Sequence, residues 1–461
     1  MTEQLQIYIS KIHEAPRPPG KLIGRQAELD SLIMGLAEGG RREFSAGRVA
    51  LISGEDGVGK TELALLAAEK MQKKFSDGQM IIRCSEIVEN LSDALQIFQA
   101  VIHTIDPLAR LSNDITELHR QYISLLEGRK LLIIADQVTD STDIASLIPP
   151  AGCAMIVTSR LPINLPDACC VKLGNLSLAD SRQLFTLLFP NAEPDGVEQA
   201  IVRESSPLFV HLFAALCSIC SETEDWNPSR MVSLIDGFQS ANREEQPSIV
   251  DHLLKMLFEK LPTATLMTFC NCSVFSDSFT LDAAGWVVSD EPDERVDVQQ
   301  QLELLCRLNL LVYDTISALY TMHVDVRKFA RKCLTGSNAA NWRHAYYYTC
   351  IAEDCALLSE GGGLDGLLLG GLLIDNCLSH VKQSLEWLLR QDTDRGSEDT
   401  FLHGRFAVWE TFGRIRFYPE NELIPQITAA LHTAERKNVR DMVQPLSDEL
   451  ESALNCVRRN V

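Results

Sequence analysis

The sequence predicts an α/β fold, a parallel sheet with flanking helices, followed by a helical subdomain, a winged helix and an all-helical C-terminal region. Three observations predict it. From Ile23 to about Leu173, short apolar β-prone runs alternate with helix-prone ones, as a parallel sheet covered by helices requires. One strand-to-helix junction, Gly54 to Thr61, is glycine-rich and ends in Lys-Thr. Beyond Gly174 the β-alternation stops, and a later group of helices is closed by two short β-prone runs.

Taken in order, the strands are expected at 48–53, 79–84, 130–136, 153–158 and 169–173. The helices between them are expected near 25–38, 61–75, 91–104, 113–127 and 141–147. Further helices follow at 177–190, 195–203, 207–221 and 228–237, then at 250–260, 263–272, 280–288 and 297–308. A hairpin-like pair, 310–313 and 318–322, turns at 314–317. The domains read as a tail or linker at 1–20, rich in Pro near its end, and an α/β domain at 21–174. A helical subdomain at 175–245, a winged helix at 246–336 and a helical region at 337–461 complete the chain. The last region is broken by Gly361-Gly362-Gly363 and by residues 392–397. It shows no clean 34-residue repeat and is at most a degenerate TPR-like array.

Composition excludes several classes. The 461 residues provide ample core for two to four domains. No apolar stretch reaches the roughly 18 residues of a membrane span; the longest candidate, 364–374, contains Gly and Asp. Residues 1–10 lack the basic and apolar regions of a secretory signal. A net charge of −21 argues against a broad nucleic-acid or anionic-membrane surface. The fourteen scattered cysteines fit a reduced cytoplasmic compartment. Cys217 and Cys220 share one helix face at i, i+3 spacing, and Cys270 and Cys272 form a C-x-C. With no histidine at zinc-finger spacing, these thiols read as small buried hydrophobes rather than ligands.

The segment Gly54-Glu55-Asp56-Gly57-Val58-Gly59-Lys60-Thr61 matches the phosphate-binding pattern G-x-x-x-x-G-K-S/T, between a β-prone and a helix-prone run. Gly54, Gly57 and Gly59, with Val58 between them, let backbone N–H groups crowd round phosphate oxygens at the start of a helix whose first turn contains Glu62. Lys60 reaches β- and γ-phosphates, and Thr61 ligates Mg²⁺. The apolar run Lys130 to Ala135 delivers Asp136 to a strand end, where an acid holds the Mg²⁺ shell. The next residue usually carries the acid that activates water; here it is Gln137, whose amide orients a water but cannot take its proton. Thr158 or Ser159, ending another strand, is placed to sense a γ-phosphate, and Arg160 to pair with it.

These residues, in this order, resemble the NB-ARC family of signal-transduction ATPases. Leu22 to Leu29 resembles the opening "hGRxxEL", which implies that Ile23, Gly24 and Arg25 lie against the adenine. Leu132 to Val138 and Met155 to Arg160 resemble the second strand motif and the "TSR" motif, whose arginine contacts the γ-phosphate. Val171 to Phe185 resembles the entry to the helical subdomain. Ser206-Pro207-Leu208 resembles "GLPLAL", implying that Pro207 packs on adenine. Tyr320 to Val324 resembles the winged-helix "MHD" motif, implying that His323 bonds the β-phosphate of ADP. Leu373 to Asn376 and Leu385 to Trp387 resemble the helical segment that follows in bacterial members. Three positions depart from the family pattern: Asp56 in the phosphate loop, Ser205-Ser206 before Pro207, and Val324 in place of the acid of "MHD".

The resemblance implies an ADP/ATP-dependent switch with Mg²⁺ and slow hydrolysis, the ADP form compact and the ATP form open and self-associating or partner-bound. Asp136, Gln137 and Arg160 would serve the chemistry. Protein partners are expected at the C-terminal helices, and neither a membrane nor nucleic acid is expected. Two other classes stay open: a non-hydrolysing scaffold with tightly held or no nucleotide, and a winged-helix transcription regulator. No effector domain is evident in these residues.

Overall fold

The structure is a computed structural model. It describes residues 22–37, 47–84, 114–138, 144–190, 201–221, 249–289, 297–361 and 420–437, apart from 166, 203, 316 and 335–336, with shorter pieces within 98–109, 366–388 and 443–451. The tail at 1–20, the helix expected at 228–237 and the breaks at 361–363 and 392–397 fall outside or almost outside these residues, as do most of the helices expected at 91–104 and 195–203.

Five parallel strands form one sheet: β1 (Arg48–Ser53), β2 (Gly78–Arg83), β3 (Leu131–Val138), β4 (Ala154–Ser159) and β5 (Cys169–Lys172). Their order across the sheet is β2-β3-β4-β1-β5. Strands covered on both faces must be apolar throughout rather than alternating. The runs in β1, β3 and β4 satisfy this, and nearly all their side chains are buried. Helices α1 (Gln26–Ala37) and α2 (Lys60–Met71) bury Leu29, Leu32, Leu36, Leu63 and Ala64 against Ile52, Ile134 and Ile156. Each fully buried aliphatic side chain contributes about 1.5–3 kcal/mol.

The strand order does functional work. Because β4 lies between β1 and β3, the ends of all three strands meet at one edge. Ser53 pairs with Ser159, and the Gly54 amide donates to the Ser159 carbonyl at 3.2 Å, so the glycine loop starts beside the end of β4. The register of β3 against β4 breaks between Ala135 and Val138, and Gln137 sits at φ 59°. A bulge at this edge turns the chain just after Asp136. The strand thus runs past the expected end at 136. Of the helix expected at 141–147, the described residues Ile144–Leu147 form a 3₁₀ turn.

α3 (Ile115–Leu126) precedes β3, and α4 (Leu178–Leu188) and α5 (Pro207–Ser221) follow β5. Phe209 stacks on Phe213 at 5.8 Å, and Phe185 of α4 joins them at 5.6 Å from Phe213. Next come α6 (Ile249–Lys260), α7 (Thr263–Cys272), α8 (Leu281–Val288) and α9 (Val298–Arg307). They are followed by an antiparallel hairpin of β6 (Val312–Asp314) and β7 (Leu319–Thr321). α10 (Val324–Cys333) is a helix that the sequence reading leaves unassigned. Its Val326 and Ala330 are buried, and Arg327, Lys328, Arg331 and Lys332 supply the local positive charge that the acidic whole conceals.

By internal contacts the chain divides into two compact units. One comprises 1–98, 123–270 and 299–333 and holds the sheet; the other comprises 99–122, 271–298 and 334–461. In the second, α11 (Ser337–Gly361) packs on α8. Arg343 donates to the terminal carbonyls of α8, Val287 at 2.7 Å and Val288 at 3.3 Å, a cation satisfying orphan groups at a helix C-terminus. His344 and His380 are buried and bonded to each other at 3.3 Å, under the stacked Phe275 and Phe279. α12 (Glu420–Lys437) lies near the C-terminal end. Among the described residues, no helix is long and apolar enough to cross a membrane.

The central-strand core sets stability. Ile156→Ala, at a fully buried position of β4, is expected to lower unfolding free energy by about 2–5 kcal/mol. Met267→Ala, 60% exposed, should change it by less than about 0.5 kcal/mol. Urea denaturation of both variants checks the contrast.

Candidate nucleotide-binding site

The glycine loop, residues 54–59, joins β1 to α2 at the carboxyl edge of the sheet. Gly57 and Gly59 adopt φ 76° and 91°, which L side chains resist. A Cβ on Gly57 would also fall 2.8 Å from the Leu208 side chain, whereas the space around Gly59 is open to 3.9 Å. That open space beside free helix-start amides is where a phosphate fits. Val58 is buried in the core under α2 and anchors the loop.

Lys60 is only 8% exposed. Its ammonium donates to the carbonyls of Gly54 and Glu55, both at 2.8 Å, and lies 3.6 Å from the Asp56 carboxylate. A buried cation must have such partners. Thr61, the next residue, donates its hydroxyl to Asp136 Oδ1 at 2.8 Å. Thr158 donates to the same oxygen at 2.6 Å and accepts from the Gln137 amide at 2.8 Å. One buried carboxylate therefore joins α2, β3 and β4. A hydroxyl and a carboxylate at this distance, beside a phosphate cradle, are the hard oxygen donors that Mg²⁺ takes, directly or through water.

Thr158, expected with Ser159 as one of two alternatives for a phosphate contact, is fully buried and donates its hydroxyl to Asp136. Ser159 is buried too. Arg160, 65% exposed, is the polar group of that strand end which reaches over the loop, pairing with Glu55 at 3.3 Å and Asp56 at 3.9 Å. Gln137 is held by its backbone at the bulge.

Two peripheral motifs meet the loop. Arg25 is buried, and its guanidinium donates to the carbonyls of Gly174 and, at 3.4 Å, Val58, and to Glu28 at 3.2 Å. It ties the start of α1 to the loop and to the segment entering α4. Gly24, at φ 69°, lets the Asp180 side chain lie where a Cβ would be. Leu22 and Ile23 run beside this point without regular structure. On the other side, Ser206 caps α5 with Pro207 at its first position, which accounts for a serine there. The next amide, Leu208 N, donates to the Gly57 carbonyl at 3.1 Å, and the Pro207 ring comes within 4.0 Å of where a Cβ on Gly59 would be. Glu62 lies in the first turn of α2, with Oε2 at 3.9 Å from that same position.

His323 is not bonded to the glycine loop among the described residues. Its carbonyl accepts from Arg327 N at 2.8 Å and its Nδ1 from Asp325 N at 3.3 Å, so it caps α10. The Asp325 carboxylate stands 3.7 Å from the same nitrogen, which makes Asp325, one position later than the motif, the acid beside His323. Across from it, His211 on α5 is a residue that sequence reading missed; only its place one turn after Pro207 could have signalled it. Burial pushes the His211 imidazole below its usual range, the Asn309 side chain opposes this by bonding it, and nearby His323 lowers it further. Cys217 and Cys220 lie buried on α5, and burial pushes both thiols up, away from thiolate chemistry.

Comparisons with known proteins bear on this geometry. No protein-family model matches the chain. The regulatory protein AfsR of Streptomyces griseus is 33% identical over 181 residues, 38% of this chain and 18% of that protein. A putative disease resistance protein of Arabidopsis thaliana is 23% identical over 290 residues, 58% of this chain and 19% of that protein. The chain thus spans about a fifth of the length of these curated relatives. Among solved structures, a signal transduction ATPase with numerous domains (STAND) from Pyrococcus horikoshii, with a tetratricopeptide repeat sensor, superposes with a TM-score of 0.51 at 13% identity. That match covers 96% of this chain and 66% of the archaeal one. These similarities agree with the resemblance to the NB-ARC/STAND class, and the archaeal structure shares the fold. The Thr61–Asp136–Thr158 cluster is the structural centre of the candidate site, and Lys60 and Arg160 are its cations.

Two outcomes follow from the buried polar groups. Thr158→Val strips Asp136 of a donor and leaves the Gln137 amide unpartnered, and is expected to destabilise by about 1–3 kcal/mol, whereas Thr158→Ser retains most of the stability; thermal or urea unfolding compares them. The depressed folded pKa of His211 means that its neutral form contributes stability above about pH 6.5, the unfolded value, and that this is lost as pH falls towards the folded pKa. His211→Leu should flatten the decline of the denaturation midpoint between about pH 7 and 5. A slope like that of the unaltered protein would remove His211 from the explanation.

Proposed function

We propose that the chain is a nucleotide-dependent molecular switch that binds ADP or ATP with Mg²⁺ and is at most a slow ATPase. One observation carries the reading: the Asp136 carboxylate accepts from Thr61 at 2.8 Å at the foot of a glycine loop whose lysine is already folded into it. The similarity to regulatory and disease resistance proteins and the shared fold of a STAND ATPase support it. On this reading Gly54, Gly57, Val58, Gly59 and Glu62 shape the phosphate cradle, Lys60 holds the β- and γ-phosphates, and Thr61 and Asp136 hold Mg²⁺. The bound metal supplies neutralisation of phosphate charge. Arg160 reads the γ-phosphate, and Ile23, Gly24, Arg25 and Pro207 border the base. Gln137 orients water without acting as a base, which keeps turnover slow.

The switch needs two states with different ligand preferences. His323 and Arg160 are proposed to discriminate ADP from ATP, His323 from its place near His211 of the Pro207 helix. A complete switch, from 1:99 to 99:1, requires about 5.5 kcal/mol of discrimination. The domain boundaries at 174, 245 and 336 belong to this proposal. So do a cytoplasmic setting, protein partners at the C-terminal helices and self-association in the ATP state. The archaeal relative's repeat sensor supports a partner role for those helices. A scaffold is the second reading, favoured by the way Lys60 and Arg160 are satisfied by the loop's own groups.

Titration with fluorescent ADP and ATP separates the two. Lys60→Ala is expected to weaken binding by about 1.5–3 kcal/mol, and phosphate release to run at about 10⁻³–10⁻² s⁻¹. Affinity unchanged by Lys60→Ala defeats the nucleotide site; turnover above about 1 s⁻¹ defeats the role given to Gln137.

A further inference from the structure

The glycine loop carries two adjacent acids where a polyanion is to bind. Glu55 is 73% and Asp56 54% exposed at the side chain. Neither is needed to satisfy the core, so their burial explains nothing. Their partners are informative. Asp56 stands between the two cations of the site, with one oxygen 3.6 Å from Lys60 Nζ and the other 3.9 Å from an Arg160 guanidinium nitrogen. Glu55 Oε2 takes the same guanidinium from Nε and Nη2, both at 3.3 Å. Its backbone carbonyl also accepts from Lys60. Two carboxylates thus occupy the positive groups that a nucleotide's terminal phosphates would engage.

We propose that Glu55 and Asp56 are specificity-determining residues of the nucleotide site, acting as internal surrogates for the terminal phosphate and biasing the site toward a nucleoside diphosphate over a triphosphate. The inference rests on the nucleotide reading of the loop. The exposed ion pairs are individually weak in water, but two effects act in the same direction. An incoming γ-phosphate must displace Arg160 from Glu55 and Asp56. It also adds negative charge close to both acids, in a site from which the ligand excludes water and where charges are felt more strongly. A diphosphate engages Lys60 but leaves the Arg160 pairs intact, so it meets less of either cost. The arrangement also gives Asp56, at a position where the family resemblance leads one to expect an uncharged residue, a definite task.

The test is equilibrium titration of the full chain with a fluorescent ADP and a fluorescent non-hydrolysable ATP analogue, both with Mg²⁺, at low and high salt. Three proteins are compared: the unaltered chain, Glu55→Gln with Asp56→Asn, and Lys60→Ala. The replacements are isosteric and exposed, so the fold is retained; circular dichroism confirms it, and Asp56→Gly provides a second variant. The acid-neutral variant is expected to bind the triphosphate analogue about five- to tenfold more tightly and ADP by no more than about twofold. The gain should shrink at high salt and disappear when Arg160→Gln is added. An unchanged triphosphate-to-diphosphate ratio, or weaker triphosphate binding as would follow if the acids held a bridging Mg²⁺, overturns the inference. If Lys60→Ala still weakens binding in that case, the nucleotide reading stands alone. Binding that never depends on Lys60 overturns both.

Discussion

A carboxylate that is 1% exposed at the end of a sheet has few ways to exist. Removed from water without partners, a carboxylate costs several kcal/mol. Its position forces the surroundings to supply donors, and they come from two different elements: Thr61 on the first turn of α2 and Thr158 on β4. Thr61 can be there only because the glycine loop turns α2 back over the sheet edge. Thr158 can be there only because β4 is inserted between β1 and β3. The same threonine then accepts from Gln137, which pins the bulge that ends β3. The glycine loop, the strand order and the bulge are thus consequences of one buried charge that must be satisfied.

The cations obey the same rule from the opposite side. Lys60 is nearly buried and leans on two backbone carbonyls and an aspartate. Arg160, in water, finds the two acids of the loop. The site is electrostatically complete from its own residues, so any anion binding there competes with partners already in place. Affinity is then a difference between two sets of contacts, and small changes in the loop's own charge are felt as changes in selectivity. Around it, Arg25 and the Leu208 amide join the loop to the segments on either side through carbonyls of the loop itself. These bonds tie the loop backbone to α1, α5 and the Gly174 segment.

Much of this was legible from the chain alone. The five strands begin and end within two residues of where the β-prone runs place them, most plainly β1, β3 and β4, whose runs are apolar almost throughout because both faces are covered. The glycine loop, Lys60, Thr61 and Asp136 were legible because their chemistry demands particular residues at particular spacings. Less was legible where the determinant is a contact distant in sequence. The sequence leaves Thr158 and Ser159 as equal candidates for a phosphate contact, and the bond from Thr158 to Asp136 appears only when β4 lies beside β3. His323 reads as a ligand of ADP, and its observed bonds cap α10, a helix left unassigned because its pattern is short and mostly charged. His211 is silent in the sequence, a polar residue in a mostly apolar helix.

The sequence by itself determined the order of strands and helices, the phosphate-loop chemistry and the acid that completes it, since periodicity and spacing are local properties of the chain. The tertiary structure decided which groups those residues are bonded to. Hydrogen bonds and ion pairs between Thr61 and Asp136, or between Arg160 and Glu55, join positions 75 and 105 residues apart. Only the crossing of strands in the sheet brings such positions within reach, and the partner a buried polar group finds there settles whether it positions, caps or binds.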